Sequence, residues 1–80
     1  MEKEEILKQV QKIFCDVLDN PEIQMYAQTT ANDIEGWDSL THIQLVVAIE
    51  KHFHIKFSTR EILSWKNVGE MVESISHKCE

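Results

Sequence analysis

Two glycines and one proline in 80 residues leave the chain little turn chemistry. That excludes a hairpin-rich β-sandwich and equally a Gly/Pro-rich disordered tail. The two cysteines, Cys15 and Cys79, lie far apart and form no C-x-x-C, so neither a disulfide framework nor a zinc site is expected. Cys15 reads as a buried or half-buried thiol and Cys79 as one at a frayed end. Bases are scarce too: eight Lys and Arg face fourteen Asp and Glu, a formal charge of −6. This balance repels nucleic acid and anionic lipid and attracts partners with basic patches. The longest apolar run, Leu45 to Ile49, is far short of the ~20 residues a bilayer span needs. The start, "MEKEEI", lacks the basic-then-apolar plan of a signal peptide, so no membrane span is expected and the expected location is the cytosol.

What is present points to helices. Hydrophobic residues make up 42% of a chain with few breakers, which suits an all-α fold in one domain, residues 1–80. At this size folding buries only about 60% of the unfolded surface, so a deep catalytic cleft is not expected. Ile6, Leu7, Val10, Ile13, Phe14, Val17 and Leu18 recur at helical spacing and predict a first helix from Glu4 to about Leu18. Asn20-Pro21 ends it, and a long loop follows to Trp37, with Ile23, Met25, Tyr26 and Ile34 as its expected tethers to the core. Ser39 to about Phe53 predicts the second helix. Ser58 with Glu61 is a capping box for a short third helix bearing Ile62 and Leu63. Asn67 with Glu70 repeats that signal before Val68, Met71, Val72 and Ile75, and Trp65 reads as a core plug between the two. The expected architecture is a four-helix bundle.

The second helix carries two apolar stripes. Leu45, Val46, Ile49 and Phe53 share an arc with His42, while Leu40, Ile43 and Val47 form another. Either both stripes are core, or the second is exposed for a partner or a bound chain.

At the mouth of this helix stands "GWDSL". A nucleophilic serine needs an adjacent base oriented by a carboxylate, usually in a strained strand-to-helix turn. Ser39 has only His42 one turn on, and Asp38 has no way to orient that imidazole, so no catalytic residue is assigned. Asp38-Ser39 also reads as an N-cap pair at the positive end of the helix dipole. The same helix mouth suits a phosphate esterified to Ser39. Glu50, His52 and His54 do not share one helical face, and no metal is expected there. His77 and Lys78 complement the dipole of the last helix.

"GWDSLTHIQLVVAIEKHF" resembles the attachment region of acyl carrier proteins, whose D-S-L serine receives 4'-phosphopantetheine and opens the second helix. The resemblance extends over almost the whole chain, including a junction of Phe53, Ile55 and Phe57, and implies a four-helix bundle of that type. It implies that Ser39 is the modified residue, that Asp38 serves recognition by a phosphopantetheinyl transferase drawing on coenzyme A, and that Leu40 anchors the helix start. It implies a non-catalytic carrier of thioester-linked acyl groups in fatty-acid, polyketide or related biosynthesis. Acyl-loading and acyl-processing enzymes would dock on a face drawn from Trp37, Leu40, Thr41, Ile43, Gln44, Val47 and Glu50. No nucleic acid is expected as a partner, and the chain is expected to act as a monomer.

The chain departs from carriers of primary fatty-acid synthesis, whose second helix is rich in acids. Residues 39 to 53 hold one acid, Glu50, and one base, Lys51. Negative charge gathers upstream instead: Asp19, Glu22, Asp33, Glu35 and Asp38, with no base in residues 19 to 38, sum to −5. Steering of a partner would come from this loop, unless it is merely solvated. Lys56, Arg60 and Lys66 make the third-helix region mildly basic. Together with Trp37 these features resemble a dedicated carrier of a specialised pathway. An aminoacyl or peptidyl carrier fits the same motif, and an unmodified helical interaction domain, with Ser39 only a cap, remains the reading from a different class.

Overall fold

Helix α1, Lys3–Val17, forms because Ile6, Val10, Ile13 and Phe14 fall on one face, and all four are buried. The computed structural model describes residues 2–79. Among them the remaining elements are a 3₁₀ turn, Ala31–Asp33, then α2, Ser39–Phe53, α3, Thr59–Ser64, and α4, Val68–Cys79. The all-helical expectation holds, and no described residue lies in a strand. Helix α1 packs against both α2 and α4. The core joins the α1 face to Leu45 and Ile49 of α2 and to Val68, Met71, Val72 and Ile75 of α4. Phe14, Leu45 and Ile49 are sealed from solvent, and burial of each stabilises by about 1.5–3 kcal/mol.

The loop between α1 and α2 is pinned at both ends of its course. Ile23, Met25 and Ile34 are buried as expected, and the Met25 N–H donates to Gln11 Oε1 of α1 at 2.9 Å. Tyr26 corrects the expectation, for it is 57% exposed. Its backbone is held in a tight turn in which its N–H donates to Thr29 Oγ1 at 2.8 Å and the Thr29 N–H returns to its carbonyl at 3.1 Å. The phenol is thereby directed outward to Gln24 Oε1, and Thr29, its hydroxyl satisfied, is the residue that is buried.

The same turn caps α4. The Val68 and Gly69 N–H groups donate to the carbonyls of Thr29 and Ala27 at 2.8 and 2.7 Å, and the Glu70 N–H donates to Asn67 Oδ1 at 3.0 Å. These bonds satisfy the orphan donors of the first helical turn. Gly69 is what permits the approach, since a Cβ there would lie 2.8 Å from the Ala27 carbonyl oxygen.

At the other end of α2, His54 adopts the left-handed conformation, φ 58°, and terminates the helix. Glu50 then ties the following segment down by accepting from the Phe57 N–H through Oε2 at 2.8 Å. The Ser58–Glu61 capping box forms as read from the sequence, and Lys78 of α4 pairs with Glu61 at 3.0 Å. The Ser58 N–H first, and Lys78 with it, hold the Glu61 carboxyl below the usual carboxylate range. Trp65 plugs the α3–α4 junction, edge-on to Phe57 at 4.9 Å, with its Nε1–H donating to Ser74 Oγ at 2.9 Å. Cys15 is half-buried, within the expected range, and Cys79 is the last described helical residue of α4 and packs partly against the core.

Candidate functional site

The approach to α2 is set by Gly36, whose φ of +90° lies in the region that disfavours a side chain. Two residues on, Asp38 is the N-cap. Its Oδ1 accepts from the N–H groups of Leu40 at 3.0 Å and Thr41 at 2.9 Å. Thr41 completes the box, its Oγ1 accepting from the Asp38 N–H and donating to the Gly36 carbonyl, both at 2.8 Å. The expected cap pair is therefore corrected. Of the expected pair only Asp38 caps, with Thr41 closing the box, and Ser39 is the first helical residue, with its side chain exposed. The Thr41 N–H above all, with the Thr41 hydroxyl and the Leu40 N–H, holds the Asp38 carboxyl below its ordinary value. It is an anion at neutral pH, spent on the backbone rather than on a neighbouring imidazole.

His42 is committed elsewhere as well. Its Nδ1 accepts from the Trp37 Nε1–H at 3.0 Å, and the two rings stack at 5.9 Å with an interplanar angle of 18°. Trp37 is itself wedged edge-on against the buried Phe14 at 4.8 Å. An indole N–H can only donate, so Nδ1 carries no proton and the neutral ring keeps its proton on Nε2. Burial of the ring pushes its pKa below the ordinary histidine value. The geometry makes His42 a partner of Trp37, not a base for Ser39.

A groove of about 730 Å³ opens beside Ser39, between the start of α2 and the α3 region. Trp37, His42 and Ile43 form one wall, and Ile62, Leu63 and Trp65 face them. Lys66 brings one cation to its rim.

The double stripe on α2 resolves by burial. Leu45, Val46 and Ile49 are at most 5% exposed, and Phe53 packs partly against the core, whereas Leu40, Ile43 and Val47 are 69%, 63% and 42% exposed. Gln44 lies outside with them. The other residues expected on a partner face are drawn inward: Trp37 to Phe14 and His42, Thr41 to the cap, Glu50 to the Phe57 N–H. Leu63 of α3, 79% exposed, joins the outer apolar surface. Adjacency to Ile62 does not mark it in the sequence, since the adjacent pairs Ile13 with Phe14 and Met71 with Val72 are both buried.

The remaining polar residues divide. Asp33 Oδ2 accepts from the Thr30 N–H at 2.9 Å in the cap of the 3₁₀ turn, while Asp19, Glu22 and Glu35 are exposed on the loop. Lys56, Arg60 and Lys66 are exposed. His52 Nε2 meets Gln9 Oε1 at 2.7 Å, away from Glu50, and among the described residues no three His, Cys, Asp or Glu side chains assemble as a metal site. No described helix is long and apolar enough to cross a membrane.

Residues 8–75 match the family model described as a phosphopantetheine attachment site. The chain is 40% identical over 76 residues to an acyl carrier protein of Cyanidium caldarium, spanning 95% of this chain and 88% of that one. It is 30% identical over 77 residues to an acyl carrier protein of Acidothermus cellulolyticus, spanning 96% and 92%. The fold superposes on the solution NMR structure of a holo acyl carrier protein from Geobacter metallireducens with a TM-score of 0.86 and 40% identity, covering 91% of this chain and 84% of that one.

Proposed function

This chain belongs to the acyl carrier protein family, the non-catalytic bearers of a covalent 4'-phosphopantetheine, and on that premise we propose that Ser39 is the attachment point. Membership in this family displaces the alternative of an unmodified interaction domain. The observation that carries the assignment is the division of labour at the mouth of α2: Asp38 supplies the cap, and the Ser39 side chain is left exposed at the opening of the groove. These residues fit such a group, since a phosphate on Ser39 Oγ would sit where the dipole of α2 is positive. When bound, the arm supplies a terminal thiol that holds an acyl group as a thioester.

The chain's own residues then do three things. Asp38 and Thr41 hold the helix mouth rigid, so that a phosphopantetheinyl transferase meets Ser39 in one geometry, with Asp38 part of what it recognises. The groove walls offer a carried chain apolar shelter. Leu40, Ile43, Gln44 and Val47, with Leu63 across the groove, form the face on which acyl-loading and acyl-processing enzymes dock. Because α2 holds only Glu50 and Lys51 as charged residues, that docking is chiefly apolar, which supports a specialised pathway over primary fatty-acid synthesis. We assign the carrier to the cytosol, acting as a monomer of one domain. Intact-mass measurement after incubation with coenzyme A and a broad-specificity phosphopantetheinyl transferase tests the assignment. The wild type gains the mass of one phosphopantetheine, and Ser39→Ala gains none; a mutant that still gains it, or a wild type that never does, refutes the site.

A further inference from the structure

We propose that His42 is a binding residue for the phosphopantetheine arm, donating a hydrogen bond from Nε2–H to an acceptor on it, in an orientation fixed by Trp37. The inference rests on attachment at Ser39. His42 lies three residues beyond Ser39, one helical turn away on the same side, and both line the groove. The groove is bounded by two indoles whose N–H groups are already used, that of Trp37 on His42 Nδ1 and that of Trp65 on Ser74 Oγ. Their rings therefore offer only apolar faces.

The imidazole differs from both. Because Nδ1 accepts from Trp37, the proton of the neutral ring is fixed on Nε2, and the stacked indole holds the ring plane. Among the described residues no buried side-chain nitrogen or oxygen lacks a partner. Nε2, which has no protein partner, is accordingly reached by solvent and not sealed in the core, on a residue that lines the groove. It is a directed donor in a mostly apolar wall, preorganised by packing, one helical turn from the root of an arm on Ser39. The charged groups sharing the groove are Asp38, spent on the cap, and Lys66 at the rim. The arm offers two kinds of acceptor within its own length, phosphate oxygens near Ser39 and amide carbonyls further along. Both are met by the same N–H.

The test compares apo and holo protein, the latter verified by intact mass, through long-range 1H–15N spectra of the histidine rings across a pH titration. Both forms show His42 as the Nε2–H tautomer, and in the holo form its Nε2 resonance shifts and exchange of its proton with water slows by about three- to tenfold, the range of one net hydrogen bond. A His42 pKa raised on loading marks phosphate as the acceptor, and an unchanged pKa with the shift marks a carbonyl; either result supports the proposal. Trp37→Phe keeps an aromatic ring against Phe14 but removes the N–H, so the tautomers mix and the slowing is lost, while His52 serves as an internal control. A chain that takes up the arm yet leaves His42 unchanged overturns this inference alone. A chain that takes up no arm overturns it together with the attachment site.

Discussion

Ser39 and Asp38 are adjacent residues with separable tasks. Ser39→Ala removes an exposed hydroxyl outside the capping network, so its urea midpoint stays at the wild-type value while modification is abolished. Asp38→Ala leaves the helix mouth without its acceptor and lowers the midpoint at unchanged m. Since Asp38 is held below its ordinary carboxylate value by the Thr41 N–H, its contribution to stability is fully present above about pH 4 and is lost as pH falls through the folded value. His42 has a different window. Its pKa is lowered by burial, so beneath about 6.5 the unfolded chain binds more protons than the folded one. Stability is then fully present above that pH and declines as pH falls toward the folded value, where protonation of Nδ1 also breaks the bond from Trp37. Wild type against His42→Gln in chemical denaturation at pH 7.5 and pH 5.5 reads this directly: the wild type loses stability between the two, and the variant loses less. A wild type equally stable at both values contradicts the account.

At the scale of the element, α2 shows that hydrophobicity and burial are separate facts. Leu45→Ala empties a sealed site and should cost about 2–5 kcal/mol, whereas Ile43→Ala, on the exposed stripe, should stay within about 0.5 kcal/mol of wild type. Denaturation of the two variants checks this, and binding to a loading enzyme reverses the ranking, with Ile43→Ala the more damaging at equal folded fraction. Helix α4 supplies a sharper case. Alanine ordinarily improves a helix relative to glycine, by up to about 1 kcal/mol. At Gly69 a Cβ would meet the Ala27 carbonyl at 2.8 Å, so Gly69→Ala should instead destabilise by about 1–3 kcal/mol as the capping turn is pushed away. The helices themselves were legible in the sequence because periodicity is local: α2 spans the very residues its pattern marks, and the four apolar positions of α4 are all buried. What could not be read depends on contacts across the chain. The turn at residues 26 to 29 buries Thr29 in place of Tyr26 only because it caps a helix some forty residues on. The Asp38–Thr41 box carries little sequence signal, since Thr stands at the N3 position where Glu or Gln is the usual sign. The bond between Trp37 and His42 spans five residues across a cap, a spacing that neither helix nor strand makes regular.

From the first loop to the start of α4, charge and exposed apolar residues follow one another in separate stretches of the sequence. Exposed acids of the first loop lie before Ser39, Lys56, Arg60 and Lys66 follow α2, and the exposed apolar stripe of α2 falls between them in sequence. Exposed charges are screened within about 8 Å at physiological salt, whereas apolar burial is not. Association with a loading enzyme should accordingly slow at high salt while its equilibrium affinity changes little, as surface-immobilised kinetics at low and high salt would record; an affinity that collapses with salt would place the docking energy in ion pairs instead. The proposed role of the molecule is to bear an acyl thioester on an arm fixed to Ser39. Its most direct measurement is tandem mass spectrometry of the proteolytic peptide containing residues 36 to 40, after incubation with an acyl-coenzyme A and a phosphopantetheinyl transferase. The account predicts an acyl-phosphopantetheine localised on Ser39, with the acyl group released by neutral hydroxylamine and the phosphopantetheine retained. A modification found on another residue, or a peptide that emerges unmodified while the transferase loads a control carrier, would contradict it.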